Sequence, residues 1–325
     1  MQPRKDVVTP GAVAYYHCIS RCVRRAFLCG KDEYSGKNFE HRRAWIRDRV
    51  TLLIEAFAME VAAYAVLSGH MHSVVKTRPD LAHEWSAEEV ARRWLIVFCK
   101  KLRIGDEEAH LQQQIEAIAN DPEKVSKYRE RLSNVSWFNR CLNENIARRA
   151  NREDDVTGRF WEGRFKCQLL KDEKALLTCS VYVDLNIIRA GMAKTLETSD
   201  YTSIQDRIRN IVAEQHPEQL NSGPPLLSIS SMFGSRVSFT EYLSLVDQTA
   251  RVHVEGKASL SPDCESILTR LGISNETWVP TVTKRYSKMF RRIVGTEEQL
   301  REHALEKGKC WFQGITEAQS LFCSR

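Results

Sequence analysis

No Cys-x-x-Cys pair occurs in this chain, although it holds ten cysteines, at positions 18, 22, 29, 99, 141, 167, 179, 264, 310 and 323. That spacing excludes the usual zinc frameworks. Scattered thiols point to a reducing cytoplasm, where free cysteine serves mostly as a small buried hydrophobe. Cys18 and Cys22 beside His17 come nearest to a ligand cluster, and the buried-thiol reading applies to them too. No apolar run approaches the ~20 residues of a membrane span. The opening Met-Gln-Pro-Arg-Lys-Asp has no apolar stretch behind its charges, which argues against a secretory leader. Proline (9) and glycine (15) are scarce in 325 residues, and 42% hydrophobic with 28% charged residues excludes a disordered chain. Charge bias is weak as well: a net charge of +6 suits a polyanionic partner without requiring one.

Against these absences stands His70-Met71-His72, inside the stretch YAVLSGHMHSVV from Tyr64 to Val75, which reads as β-structure. Side chains alternate along a strand, so residues two apart share a face and both imidazoles can reach one metal ion. About a hundred residues later Tyr182-Val-Asp-Leu-Asn186 lies in a helical run, where an i, i+4 spacing puts a phenol and a carboxamide on one face. Two imidazoles, a phenol nucleophile and an amide together suit phosphate transfer.

The surrounding pattern predicts elements in the order β-α-β-β-(helices)-β-α. A first strand lies within Val13 to Val23, and a helix follows over Phe39 to Phe57, with Arg42, Arg43, Arg47 and Arg49 opposite its apolar face. Strands over Val61 to Leu67 and His70 to Thr77 meet at Ser68-Gly69. Ser86-Ala-Glu-Glu89 is a capping box, Asp121-Pro122 starts a further helical segment, and Ser136 to Arg152 is another helix. A strand ends at Leu170, and Asp172 opens the helix that carries Tyr182 and Asn186 and stops at Gly191. Beyond Asp200, Cys264 to Leu271 and the basic Thr283 to Ile293 read as helices. The expected fold is α+β: a ferredoxin-like antiparallel sheet with helices on one face in residues 10–205, a helical insertion at about 80–135, and a mainly helical C-terminal extension over 206–325.

Taken in order, YYHCISRCVRRAFLCG near the N-terminus, the strand pair ending in GHMH, GRFWEGRFK before a strand, and YVDLNIIRAGM followed by DYTSI resemble the REP-associated tyrosine transposases, relatives of single-tyrosine insertion-sequence transposases. The resemblance spans roughly Ala14 to Ile204 and departs at Ser68-Gly69 and Asn186-Ile187, where such proteins often have Pro-Asn and Asn-Pro. It implies that His70, His72 and Asn186 bind a divalent metal, Mg²⁺ or Mn²⁺, and that Tyr182 attacks DNA to give a covalent 5′-phosphotyrosine. The implied partner is single-stranded or hairpin DNA, such as a palindromic repeat; monomer and homodimer both remain open. Arg21, Arg24, Arg25, Arg159, Arg164 and Lys166, with Trp161, mix cations and aromatics as phosphate contacts and base stacking require. The alternative is a DNA-structure-binding protein that keeps the fold without the chemistry.

Overall fold

The protein is described by a computed structural model covering residues 7–23, 27–98, 108–215, 223–255 and 260–322. Arg24 and Arg25 lie outside the described residues.

Five strands form one sheet in the order β2-β3-β1-β4-β5: β1 Tyr15–Arg21, β2 Met59–Val66, β3 His70–Thr77, β4 Lys166–Leu170 and β5 Ile293–Val294. The first four pair antiparallel, and β5 runs parallel to β4. In this register Ile19 pairs with His72 and His17 with Gln168, so three chemically distinctive side chains share one face of three adjacent strands. The outer edge of β2 is engaged. Leu227 N–H donates to Val61 and Val66 N–H to Tyr201 along β2, while at the other end of the sheet Lys171 N–H donates to Val294 and extends the pairing of β4 with β5. The contacts along β2 interrupt the row of backbone groups that it would otherwise offer to another chain.

The helices are α1 Arg42–Ala56, α2 Pro79–Glu84, α3 Ala87–Phe98, α4 Glu108–Ala119, α5 Pro122–Leu132, α6 Val135–Glu153, α7 Glu173–Asp184, α8 Asn186–Arg189 and α9 Ser203–Gln215. Beyond them lie α10 Ile229–Phe233, α11 Phe239–Glu255, α12 Pro262–Arg270, α13 Asn275–Pro280, α14 Tyr286–Met289, α15 Glu297–Glu306 and α16 Ile315–Leu321. Contrary to the one-face expectation, they cover both faces of the sheet. Asn139 and Asn143 of α6 donate to Cys18 Sγ (3.3 Å) and Ser20 Oγ (2.8 Å), whereas His17, pointing the other way from β1, meets Tyr182 of α7. Neighbouring strand residues face opposite sides, so α6 and α7 lie on opposite faces.

A second correction concerns α1. Arg42, Arg43 and Arg49 do not sit in solvent: they are 0%, 5% and 8% exposed. Arg42 is satisfied by Glu153, Asp154 and the Phe27 carbonyl, Arg43 by Cys29 Sγ and Glu40, and Arg49 by the Cys141 carbonyl. Buried guanidinium groups are tolerated where each finds acceptors, and these tie α1 to α6 and to the loop after β1.

The helix leading to the site begins as its sequence demands and ends in a way the spacing does not show. Asp172 caps it by accepting from Ala175 N–H at 2.7 Å. A turn at Leu185 interrupts the rod and separates α7 from α8, so Tyr182 and Asn186 are on consecutive helices rather than one. Gly191 at φ +69° then closes α8, with Gly191 N–H on Ile188 and Met192 N–H on Ile187. This pair of bonds is the Schellman arrangement, whose left-handed residue favours glycine. The fully buried Asp184 locks the end of α7. Its carboxylate accepts from Ser203 Oγ, from Ile204 N–H at 3.1 Å and from Tyr242 Oη at 2.6 Å, joining α7 to α9 and α11.

Candidate active site

β3 presents His70 and His72, and α7 presents Tyr182, over the face of β1 that carries His17. The imidazole rings of His70 and His72 are 5.0 Å apart between centroids, and Tyr182 meets His72 edge-on at 5.6 Å. The structure therefore brings together side chains 110 positions apart in sequence. Tyr182 is 5% exposed and stacks at 4.3 Å on Tyr286. Arg189 of α8 lies 4.7 Å over the Tyr182 ring and donates to Asn186 Oδ1 at 2.9 Å. Burial raises the Tyr182 phenol above its ordinary pKa, and the Arg189 guanidinium opposes that rise.

A chain of hydrogen bonds fixes the protons on the imidazoles. Gln168 Nε2 donates to the Phe290 carbonyl at 2.6 Å, which leaves Gln168 Oε1 to face His17 Nδ1, also at 2.6 Å. An amide oxygen only accepts, so His17 Nδ1 carries a proton. Burial lowers the His17 pKa to about 4, against the opposing bond to Gln168, so the ring is neutral and its Nε2 is a lone pair. That lone pair is 2.9 Å from His72 Nδ1, which must then be the donor. His72, held well below the ordinary imidazole pKa chiefly by burial, is left with a lone pair on Nε2 that is buried and has no partner among the described residues. Second-sphere bonds of this kind fix a ligating imidazole in one tautomer.

The donor set fits a divalent cation as two imidazoles. His70 is also neutral, its pKa lowered to about 4 by burial and then by Arg21 and Arg189. Asn186 fits less directly. Its Oδ1, the amide atom able to ligate, already accepts from Arg189 and keeps one further lone pair, and the atom without a partner among the described residues is the donor Nδ2. Among the described residues, no group of three or more His, Cys, Asp or Glu is arranged to hold a metal. Two neutral ligands would leave a dication with its full charge beside Arg21 and Arg189, so an anionic ligand such as a phosphate oxygen must complete the site.

Of the cations expected to meet DNA, Arg21, Arg159, Arg164 and Lys166 are exposed. Trp161 is half-buried, and its indole N–H is used internally, donating to the Asn143 carbonyl at 2.8 Å. Arg164 and Lys166 line a cavity of about 920 Å³ that reaches His17, Tyr182 and Tyr286 and is lined in part by the C-terminal segment.

Comparison with known proteins adds little. No family model matches the chain, and no curated protein matches it. Among solved structures, one described as a REP-associated tyrosine transposase bound to a REP hairpin aligns over 70% of this chain and 99% of its own, at 10% identity and a TM-score of 0.34. A score that low carries no argument about this chain's fold or function.

Several residues at the site escape sequence reasoning. Gln168 and His17 are on strands whose register is set by distant pairing, and Tyr286 sits some hundred residues beyond Tyr182. Arg189 had a detectable signal: seven residues after Tyr182, it would fall on the same face of an unbroken helix, two turns on.

Proposed function

We propose that this protein cleaves and rejoins single-stranded or hairpin DNA through a covalent 5′-phosphotyrosine at Tyr182, as a transposase of the REP-associated kind. The observation that carries this reading is the meeting of Tyr182 with His72, whose Nε2 lone pair is buried and unused. The four antiparallel strands, ordered β2-β3-β1-β4, are read here as a ferredoxin-like core within residues 10–205, with 206–325 as its extension.

In the reaction Tyr182 Oη attacks the scissile phosphorus, the bond from phosphorus to the 3′ oxygen breaks, and that oxygen leaves as a 3′-hydroxyl while the phenol gives up its proton. The phosphodiester is conserved as a phosphotyrosyl ester, so rejoining needs no nucleotide energy source. His70, His72 and the remaining lone pair of Asn186 Oδ1 would hold Mg²⁺ or Mn²⁺, which would supply Lewis-acid polarisation of the phosphate. Arg189 favours the phenolate that burial disfavours. Arg21, Arg159, Arg164 and Lys166 supply positive charge along the path of the backbone.

A second reading rests on the burial of Tyr182 under Tyr286: a protein that binds DNA structure without cutting it. Hairpin oligonucleotides with single-stranded flanks separate the two. With Mg²⁺ or Mn²⁺ the wild type should cut them and form an adduct stable to denaturation, and Tyr182→Phe should bind equally well and form none. Binding with no cut product from the wild type would favour the second reading; an adduct persisting in Tyr182→Phe would remove the phenol from its role.

A further inference from the structure

The cavity beside Tyr182 has a second wall built by the C-terminal segment. Arg291 and Arg292, just before β5, line it together with Arg164 and Lys166 of the β4 region, and Glu162 is the one carboxylate among the described lining residues. None of the four cations is in an ion pair among the described residues, so the cavity keeps a surplus of three positive charges. Such a surplus concentrates anions. At its rim Trp311 is 59% exposed, which is unusual for an indole on a chain that buries Trp278 completely. A volume of about 920 Å³ is of the size that takes a small organic ligand.

Positive charge following a backbone, joined to an accessible aromatic face, is the combination that holds unpaired nucleotides, because every base has a π-face while a duplex hides it. We infer that this cavity binds unpaired nucleotides of the strand whose phosphate lies at Tyr182, with Trp311 as the stacking platform and Arg291 and Arg292 as phosphate contacts. The inference deepens the strand-cleavage reading and rests on it for the choice of polymer. On this view the C-terminal extension selects single-stranded flank over duplex next to the nucleophile.

The test uses the full chain carrying Tyr182→Phe, so that the probe is not consumed, and fluorescence anisotropy with a labelled oligothymidylate and a blunt duplex. Trp311→Ala should weaken oligothymidylate binding about ten-fold and leave duplex binding unchanged, while Trp311→Phe keeps most of the affinity. Arg291→Ala with Arg292→Ala should flatten the dependence of log affinity on log salt by roughly 1.4, the value for two phosphates on a single strand. Oligothymidylate binding indifferent to both changes overturns the proposal. Adduct formation is read separately with Tyr182 intact. An adduct without any Trp311 dependence overturns the cavity alone, and Trp311-dependent binding without an adduct overturns the cleavage reading alone.

Discussion

At the scale of single residues, the site is a statement about where protons sit. The run from the Phe290 carbonyl through Gln168 and His17 to His72 has one consistent assignment, and it ends on a bare lone pair. Removing His17 frees His72 to place its proton on either nitrogen. His17→Leu should therefore show mixed His72 tautomers in ¹⁵N spectra and a Mn²⁺ affinity lower by about 10–100-fold, the usual cost of losing such a partner. Unchanged spectra and affinity would mean that His72 is oriented by something else. His70 and His72 were legible in sequence because strand alternation is a local rule. His17 was not, because its neighbours Cys18 and Cys22 read as buried thiols and gave it no partner, and only the pairing of β1 with β3 and β4 aims it at His72 and Gln168.

Elements were legible where local rules set them. His70–Thr77 begins and ends where the alternation places it, and the Asp172 cap and Gly191 stop hold α7 and α8. The turn at Leu185 was not legible, since leucine is an ordinary helix former. Tertiary bonds to Asp184, the residue before it, anchor the end of α7 to two other helices. Asp184→Ala leaves the Tyr242 hydroxyl and the Ile204 N–H buried without their acceptor, at a cost of about 2–4 kcal/mol. The midpoint of urea unfolding should fall accordingly, and a shift of a few tenths of a kcal/mol would show that the network adds little. The basic stretch Thr283 to Ile293 is likewise not one helix. A wide turn over Thr281–Arg285 and the short α14 end at Met289, and the chain then runs out to pair with β4. A free strand edge outweighs local helix propensity there.

For the molecule as a whole, the α+β class followed from the order of elements, but the closing of the site did not. Leu28, Tyr182, Tyr286 and Phe322 belong to a single buried cluster that runs from Val7 near the start of the described chain to its end. The extension thus adds a strand to the sheet, the Phe290 carbonyl that anchors Gln168, the ring that covers Tyr182, and one wall of the cavity. Contacts between residues more than a hundred positions apart leave no periodic trace, so none of this could be read locally. Two phenols, stacked on each other, now meet the imidazoles edge-on, and chemistry must choose between them. Mass spectrometry of the peptides left after a single-stranded suicide oligonucleotide is incubated with the full chain and Mn²⁺ makes that choice directly. The account predicts a 5′-phosphonucleotide mass on the peptide holding Tyr182 and on no other; an adduct on Tyr286, or an unmodified Tyr182 under conditions where the oligonucleotide is cut, would contradict it.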